Sequence, residues 1–477
     1  MPALTAANRL ANAPEEFRLF ELGADPFVSL PSRPVNASLL RALRMVIRAD
    51  SDPARQVLFA SLMQGNLRVR LAYGVHERLR GTWASALLVS GYGVASFLTI
   101  APAANRKARV LAVAKHANAR CQVARVVDWL GEPECDWVRA DIRALAGAPG
   151  ANGLAALLPA SRRRRALRIV RRIDRQHGFL VSCRAAAAMA WYVRAGAILS
   201  AHRPRAVLVS SDSHPEELGF VAAARARTIP SVFISHAYPT PLSPPLDFNL
   251  SILEGNAAVD ARRQKGPVKG DVLLAGLEGE SAPIDPRRFE RPEPAIGIFP
   301  PKVLSWPTFA AIVDDCRRHF HARQIVIRWH PSMLTPPRLR TVLNDLSGIV
   351  ESPRGAPLPE VARACDWVVA DENSNVHLPV LKLGIPTVAV QGLGLYPRSR
   401  SDLYGFINNG IVLPPVASIR DVDARTLAAF FDGGWSARFT QYDASYLRAA
   451  DDIGAAVRRE VQALLDGPTL KAEACLT

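Results

Sequence analysis

The chain has 477 residues, and its 49% apolar, 21% charged and 7% aromatic residues are those of a globular protein, which excludes disordered and fibrous classes. Lysine and arginine number 59 against 43 acidic residues, so the formal net charge is +16. A surface of this sign attracts phosphates, anionic glycans or an acidic membrane leaflet. The length favours two α/β domains with an appendage over one continuous core.

Residues 1–82 are predicted to form a helical N-terminal appendage. Leu39, Leu43 and Val46 recur at helical spacing, and Pro53 marks the first turn of a second helix. Charged side chains are spread through the first 27 residues, so no export signal is expected. The chain is therefore predicted to be cytoplasmic.

The longest uncharged stretch runs from Gly81 to Asn105 and has the length of a membrane span. Glycines, serines and a proline interrupt it, which disfavours a span. Its first half, Ala86 to Val89, is predicted to be a short strand that ends in a tight turn, Ser90 to Gly93. The turn lacks the GxGxxG spacing, so a nicotinamide or flavin cofactor is not expected.

From residue 83 onwards, short apolar runs alternate with helical segments, which indicates a parallel sheet. The later predicted strands of this part are Arg109–Ala114, Ala206–Val209 and Ser231–Ile234. Residues 83–256 are therefore predicted to form a first Rossmann-like domain.

Residues 257–292 are rich in charge, glycine and proline and are interpreted as an interdomain segment. Alternation of strands and helices resumes after them, so residues 293–440 are predicted to form a second Rossmann-like domain. Its predicted strands are Ala295–Phe299, Ile325–Arg328, Trp367–Ala370 and Thr387–Val390. Residues 441–477 are predicted to contain a terminal helix placed to cross back to the first domain.

Residues 162–175 hold eight arginines and one acid, Asp174. Leu167, Val170 and Ile173 give this segment a narrow apolar stripe, so it is predicted to be a basic amphipathic helix. Docking to anionic lipid, binding of an acidic glycan acceptor and a merely solvated basic face all remain open. The arginines assigned to the first two roles are Arg164, Arg168, Arg171, Arg172 and Arg175.

Ligands of open parallel sheets bind at the carboxyl ends of the strands, so the residues after each strand are the site candidates. In the second domain His330 and Pro331 follow one strand, and Asn373, Ser374 and Asn375 follow another. Asn373 or Ser374 would cap the next helix, whose first N–H groups suit a phosphate. A purely structural cap is the alternative.

The first domain offers two candidate bases after its strands, His236 and Asp212. A histidine at that point can remove a proton from an acceptor hydroxyl, and Asp212 could do the same or orient His236. A structural histidine and a helix cap by Asp212 are the alternatives. Lys302, after Ala295–Phe299, is either a point charge for a donor phosphate or a solvated lysine.

These motifs follow one another as His236-Ala-Tyr-Pro-Thr-Pro, His330-Pro331, Asn373-Ser374-Asn375 and Leu381-Lys-Leu-Gly-Ile-Pro386. In this order they resemble bacterial GT-B glycosyltransferases of surface polysaccharide synthesis. The resemblance is to the capsule and polysialyltransferase-like group and to the CDP-glycerol polymerases of teichoic acid synthesis. It covers residues 205 to 395.

The resemblance implies a GT-B-like α/β fold, in which two Rossmann-like domains face a cleft. It places the nucleotide-sugar donor in the second domain, where His330 contacts the nucleotide phosphate and Ser374, beside Asn373 and Asn375, holds the phosphates. The acceptor then lies in the first domain with His236 as the proposed base. Ala237 stands where the family has glycine.

The implied activity is transfer of a sugar from a CMP- or UDP-linked donor to a capsule or lipopolysaccharide-type acceptor. The expected partners are the nucleotide sugar and an anionic or lipid-linked glycan, with a peripheral position at the inner membrane as a further option. A CDP-polyol phosphotransferase of teichoic-acid type and a nucleotide-sugar epimerase share this fold and stay open. A non-catalytic protein that binds nucleic acid or an anionic surface is the alternative of a different class, although the chain has no nucleic-acid module.

No cofactor is expected, with the nucleotide sugar as substrate. The six cysteines are scattered without a CxxC pair, which argues against zinc. The adjacent carboxylates of Asp371 and Glu372 have no evident third ligand, so a metal site is not predicted there.

Overall fold

The computed structural model describes residues 37–50, 67–97, 100–101, 109–114, 117–131, 135–140, 160–240, 243–330, 348–353, 355–395, 402–431 and 433–466. Its helices are α1 Ala37–Asp50, α2 Leu67–Leu79, α3 Trp83–Phe97, α4 Ala117–Leu130, α5 Ala160–His202, α6 Pro215–Arg225, α7 Asn256–Arg263, α8 Trp306–Arg318, α9 Leu358–Arg363, α10 His377–Lys382, α11 Ala424–Phe430, α12 Trp435–Tyr442 and α13 Ala450–Asp466. Its strands are β1 Ile100–Ala101, β2 Val110–Val113, β3 Cys135–Ala140, β4 Ala206–Val209, β5 Ser231–Ile234, β6 Asp247–Leu253, β7 Lys269–Leu274, β8 Ala295–Phe299, β9 Gln324–Ile327, β10 Ile349–Glu351, β11 Trp367–Asp371 and β12 Thr387–Val390.

The first sheet has the strand order β1-β3-β2-β4-β5-β6-β7. All neighbours are parallel except β1 and β3. The strands predicted at Arg109–Ala114, Ala206–Val209 and Ser231–Ile234 are confirmed. Residues 257–292 do more than join two domains, because α7 and the edge strand β7 belong to this first sheet and its helices.

Both faces of the first sheet are covered by helices, as parallel sheets require. One face packs against the second half of α5, where Trp191 and Leu199 are buried, and against Phe220 of α6. The other face packs against α4 and α13, where Val457 and Val461 are buried with Val123. The terminal helix therefore crosses back to the first sheet, as the sequence indicated.

The second sheet has the order β10-β9-β8-β11-β12 and is parallel throughout. Phe309 and Ile312 of α8 cover one face, and Val361 of α9 and Val380 of α10 cover the other. The four strands predicted in this part are confirmed, whereas the helix expected near residues 336–345 lies outside the described residues. Two parallel α/β units with N-terminal helices confirm the predicted fold class.

The N-terminal helices pack on the helical layer of the first sheet. Leu43 and Val46 of α1 are buried with Leu218 of α6 and with side chains of α3 and α5. The strand and glycine turn predicted at residues 86–93 are wrong, because α3 runs through them. Ala86 and Val89 are buried while Leu87 is exposed, which is the spacing of a helix face. None of the described helices is both long and apolar enough to cross a bilayer.

Helix α5 has 43 residues and is kinked at Gly178, whose φ of 75° no helix allows. Before the kink the helix carries Asp174, a fully buried carboxylate. It accepts hydrogen bonds from His76 Nε2 at 2.5 Å, the Gly81 N–H at 2.8 Å and Ser85 Oγ at 2.7 Å. Burial raises the pKa of Asp174, but these hydrogen bonds outweigh it and lower the pKa to about 2. The carboxylate thus joins α2, α3 and α5.

The contribution of Asp174 to the free energy of unfolding depends on pH. Because its folded pKa lies below the ordinary value of 3.8, the contribution is complete above about pH 4 and is lost as pH falls through about 2. We expect D174N to be less stable by about 1–3 kcal/mol at neutral pH, since its amide NH2 would face donors. Urea unfolding followed by circular dichroism should show this difference shrink between those two pH values. A stability difference between the parent and D174N that does not change with pH would contradict the low pKa of Asp174.

The two units share a hydrophobic core. The chain passes between them twice, once after β7 and once before α13. Phe233 of β5 and Ile298 of β8 belong to one hydrophobic cluster. A Cβ atom on Gly255, after β6, would lie 2.4 Å from the carbonyl oxygen of Gln441 in α12. That approach leaves no room for a side chain at residue 255, so the units are in backbone contact there.

The two chain segments that connect the units both contact one buried ion pair, formed by Lys382 and Asp443. Lys382 Nζ, at the end of α10, lies 3.2 Å from Asp443 Oδ2 and donates to the Leu277 carbonyl at 2.7 Å and to Ser445 Oγ at 2.5 Å. Asp443 Oδ1 accepts from the Leu277 N–H at 2.9 Å. Leu277 lies on the outgoing connection and Asp443 on the returning one, so this pair fixes both to the second unit.

Candidate active site

His236 stands at the carboxyl edge of the first sheet, directly after β5 and Ser235. Its Nδ1 donates to the carbonyl oxygen of Ser210, which follows the neighbouring strand β4. A carbonyl only accepts, so the proton of the neutral ring is on Nδ1 and the lone pair is on Nε2. That tautomer is the one that a general base requires.

The turn that carries the Ser210 carbonyl is itself held firmly. Glu217 of α6 is fully buried, and its Oε2 accepts from the N–H groups of Ser210 at 2.9 Å and Ser211 at 2.5 Å. Ser211 Oγ accepts from the His214 N–H at 3.0 Å. These bonds fix the orientation of the carbonyl and, through it, the ring of His236.

Asp212 forms a buried ion pair with Arg262 of α7. The Arg262 side chain also donates to the Pro244 carbonyl at 2.8 Å and is only 3% exposed. Protonation of Asp212 would leave a buried guanidinium without its counter-charge, which is costly. Of the two predicted bases, the geometry therefore favours His236. Arg262 was missed because it lies in the segment interpreted as a linker.

At the edge of the second sheet, His330 follows β9 and Lys302 follows β8, the adjacent strand. Burial, followed by the charges of Lys302 and Arg328, lowers the pKa of His330 to about 4. Its ring is thus neutral near pH 7, while the two cations supply positive charge beside it. Pro331 lies outside the described residues.

The polar turn after β11 differs from the predicted helix cap. Helix α10 has six residues and is capped by Val376 without a side-chain hydrogen bond. Ser374 Oγ accepts from the Val376 N–H at 3.3 Å, and the Ser374 carbonyl accepts from the His377 N–H at 3.4 Å. Ser374 itself therefore uses N–H groups that were expected to face a phosphate, and neither Asn373 nor Ser374 is the N-cap.

Asn373 ties this turn to a more distant loop. Its Oδ1 accepts from the Leu403 N–H at 2.8 Å, and its own N–H donates to Asp371 Oδ1 at 3.0 Å. Asp371 Oδ2 accepts from the Gly394 N–H at 2.7 Å. Burial raises the pKa of Asp371 although both bonds oppose this. Asn373 and Asp371 thus position the turns around the strand ends.

Several buried polar atoms at this edge have no hydrogen-bond partner in the part of the chain that the structure describes. They are Arg328 Nε, Trp329 Nε1, Glu372 Oε2 and Asn375 Oδ1. An unpaired buried donor or acceptor costs about 1–3 kcal/mol unless water or a ligand satisfies it. All four follow β9 or β11, and other such atoms lie in the first unit.

The strand order brings the predicted donor residues to one edge. Because β8 lies between β9 and β11, the strands that precede His330 and Ser374 are two interstrand spacings, about 10 Å, apart. Lys302 follows the strand between them. The structure thus places His330, Lys302 and the Asn373–Asn375 turn along one edge, and His236 and Asp212 along the edge of the other sheet.

A cleft of about 660 Å³ lies between the two units. Its first wall contains Tyr238, Thr240 and α7, and its second contains Tyr404 and α12. The rings of Tyr238 and Tyr442 stack with centroids 5.0 Å apart, and burial raises the pKa of Tyr238. The side chains of the cleft that offer hydrogen bonds or charge are Thr240, Asp260, Gln264, Lys265, Asp402, Asn409, Arg438 and Gln441.

None of His236, Asp212, Lys302, His330 and the Asn373–Asn375 turn lines this cleft, although its walls adjoin two of them in the chain or through a hydrogen bond. Its second wall includes Leu403, the residue bound by Asn373, and its first wall begins two residues after His236. Sequence reasoning found the loop at residues 236–241 but missed the loop at 402–409, whose residues follow no strand.

The arginine segment lies away from these strand ends, in the first half of α5. Arg164, Arg168 and Arg175 are exposed, and Arg171 and Arg172 are half-buried. The predicted apolar stripe faces inward, because Val170 and Ile173 are buried among α1, α3, α5 and α6. That stripe is therefore not available to a membrane or another partner.

No family model and no curated protein matches this chain. The UDP co-structure of MnaA from S. aureus is similar over 76% of this chain and 98% of its own, with 10% identity and a TM-score of 0.45. The calicheamicin glycosyltransferase CalG4 is similar over 76% and 100%, with 13% identity and a TM-score of 0.44. At such values the similarity carries no argument about activity, and the fold rests on the strand order.

Proposed function

We propose that this protein transfers a sugar from a nucleotide donor to a glycan acceptor. The observation that carries the proposal is the group of buried polar atoms at the edge of the second sheet, near His330 and Lys302, that have no hydrogen-bond partner among the described residues. The cleft between the units begins two residues after the predicted base, His236, and includes Leu403, whose N–H donates to Asn373. A donor site, a cleft and a base are the parts that group transfer needs.

The donor phosphates would lie along the edge of the second sheet. Lys302 and Arg328 supply positive charge there, and the neutral ring of His330 can donate an N–H to a phosphate oxygen. Trp329 Nε1 and Asn375 Oδ1 are a donor and an acceptor without a hydrogen-bond partner in the described ranges. Such fixed donors stabilise the charge that develops on a leaving nucleotide. The proposed donor is CMP- or UDP-linked.

The acceptor would occupy the cleft. Amide side chains such as Gln264 and Asn409 suit a sugar ring, because it presents many hydroxyls. Lys265 and Arg438 are balanced by the carboxylates of Asp260 and Asp402 in the same cleft. We propose a glycan of capsule or lipopolysaccharide type as the acceptor, and its anionic character rests on the net charge of +16.

In the proposed step the acceptor hydroxyl oxygen forms a bond to the anomeric carbon of the donor. The bond from that carbon to the phosphate oxygen breaks, and its electron pair leaves with the nucleotide. The hydroxyl proton passes to Nε2 of His236. The Ser210 carbonyl keeps the ring oriented throughout and stabilises the imidazolium that forms.

We also propose that the side chains at the second edge stabilise the leaving phosphates without a metal ion. Lys302, Arg328 and the His330 N–H would take the role that a divalent cation plays elsewhere. Turnover with the identified donor should therefore survive an excess of EDTA. A loss of activity that Mg²⁺ or Mn²⁺ restores would contradict this part of the proposal.

Calorimetric titration of the full chain with CMP, CDP, UDP and GDP tests the donor site. We expect saturable binding of one pyrimidine nucleotide and a loss of at least about tenfold in affinity for H330A, or 1.4 kcal/mol. The matched control is H319A, since His319 is an exposed histidine of the same unit. Equal binding by both variants, or binding of no nucleotide, would overturn the site.

Binding should also take up protons. A phosphate beside His330 favours the charged ring and raises its pKa from about 4, so uptake is expected when the pH lies between the free and bound values. The binding enthalpy near pH 5 should then vary with the ionisation enthalpy of the buffer, and H330A should remove that variation. Buffer-independent binding by the parent would contradict phosphate contact at His330.

Product analysis distinguishes the related reactions. Release of a nucleoside phosphate with a new glycosidic bond supports the proposal. CMP released with a new phosphodiester would indicate a polyol-phosphate transferase instead, and conversion of the donor without any acceptor would indicate an epimerase.

A further inference from the structure

Exposed apolar side chains are concentrated on two consecutive N-terminal helices. Of the seven large hydrophobic residues that are exposed in the described part of the chain, four lie on α2 and α3. They are Leu71 (60% exposed), Val75 (48%), Trp83 (46%) and Leu87 (58%). Single exposed hydrophobic residues need no explanation, whereas a group of them marks an interaction surface.

The basic half of α5 adjoins these side chains. The Arg171 guanidinium lies 4.7 Å above the ring of Trp83. Arg171 Nε and Arg175 Nε both donate to the carbonyl of Gly81, at 2.8 and 3.0 Å. Arg168 and Arg164, one and two turns before Arg171 on α5, are exposed. Trp83 and the basic half of α5 are thus in contact, and we call the exposed side chains of these three helices together the α2/α3/α5 surface.

The mixture of apolar and basic side chains on this surface favours an anionic bilayer over a soluble polyanion as its partner. A soluble acidic glycan would be bound by the arginines and would gain nothing from Leu71, Val75 or Leu87. An anionic bilayer offers phosphate groups to the arginines and an apolar layer just beneath them. Tryptophan favours that boundary because its ring is apolar and its N–H is polar.

We propose that the α2/α3/α5 surface docks the protein on the surface of an anionic lipid bilayer. Trp83, Leu87, Leu71 and Val75 enter the headgroup region, and Arg164 and Arg168 bind lipid phosphates. The apolar contribution comes from α2 and α3, since the stripe of α5 itself is buried in the protein. This docking is independent of the proposed transfer reaction, and its test uses no nucleotide.

The test is co-sedimentation of the full chain with lipid vesicles. The probes are vesicles of phosphatidylcholine mixed with phosphatidylglycerol, vesicles of phosphatidylcholine alone, and soluble dextran sulfate. We expect binding to the mixed vesicles that salt weakens, because salt screens the attraction between arginines and anionic lipid. Vesicles of phosphatidylcholine alone carry no net charge and should bind at least about tenfold less protein. Three double variants separate the contributions, namely W83S/L87S, L71S/V75S and R164Q/R168Q.

Each double variant should lower the partition coefficient on mixed vesicles at least about fivefold, which is the size expected when buried apolar area or lipid-phosphate contacts are lost. The matched control is L395S/L447S, which changes two apolar residues exposed to 55% and 53% elsewhere, and it should bind like the parent. Thermal melts of all variants identify any that fail to fold. Two apolar variants are used because W83S also removes the ring beneath Arg171.

Three results would overturn the proposal. The first is no binding to mixed vesicles, which would be the outcome if another segment of this chain covers the surface. The second is vesicle binding that both folded apolar variants retain. The third is binding to dextran sulfate but to no vesicle, which would assign the arginines to a soluble polyanion.

Discussion

Replacement of His236 by alanine is expected to lower kcat about 10²- to 10⁴-fold, the range found when a general base is removed. The structure gives the reason, because the bond from Nδ1 to the Ser210 carbonyl leaves the lone pair of the ring on Nε2. Binding of the donor should be unchanged, since the proposed donor residues lie at the edge of the other sheet. Steady-state kinetics together with nucleotide titration measure both quantities.

The variant H236N separates proton transfer from positioning. Its side-chain NH2 can still donate to the Ser210 carbonyl, but it has no atom that can take the acceptor proton. We expect H236N to be as inactive as H236A while melting at the temperature of the parent. Substantial turnover in H236N would mean that His236 positions the loop at residues 236–241 and that another group is the base.

The second large effect is expected at the junction of the two units. K382M should destabilise the protein by about 3–5 kcal/mol, the cost of breaking a buried ion pair from one side. Asp443 is completely buried and would lose its counter-charge, while the Leu277 carbonyl and Ser445 Oγ would lose a donor. Urea unfolding of the full chain, followed by circular dichroism, measures the change.

Two further variants test whether the buried charge is responsible. R363Q removes an exposed ion pair with Glu280 on the same unit, 2.9 Å long, and should cost less than about 1 kcal/mol. K382M/D443N removes both charges and keeps the Oδ1 acceptor for the Leu277 N–H, so it should be more stable than K382M alone. A double variant as unstable as the sum of its parts would show that the loss comes from packing.

Much of the fold could be predicted because its central strands are short apolar runs buried on both faces. Ala206–Val209 and Trp367–Asp371 are buried at every position, so each shows as a continuous run. The interior strand β6 was missed because its half-buried start includes Asp247 and Asn249, which interrupt the apolar run. The run Ala86–Val89 was mistaken for a strand because α3 has no charged residue to show its helical period.

The position of the site was easier to predict than the roles of its residues. Polar residues after a buried strand indicate a sheet edge, and this located His236, His330 and Lys302. Their partners depend on the fold. Arg262 lies 50 residues from Asp212 in sequence, and Leu403 lies 30 residues from Asn373. No local pattern could therefore reveal that the predicted base Asp212 and the predicted phosphate ligand Asn373 are engaged elsewhere.

Because α13 is near the end of the chain, the order of synthesis affects when the first unit can complete its fold. One face of the first sheet is covered by α4 and α13 together, and α13 is the last described helix to leave the ribosome. Until it emerges, Val123 and the apolar residues on that face of β4 and β5 are partly open to water. The first unit is therefore completed only after the second has been made, and a chain cut before residue 450 would expose a sheet face rather than lose a tail.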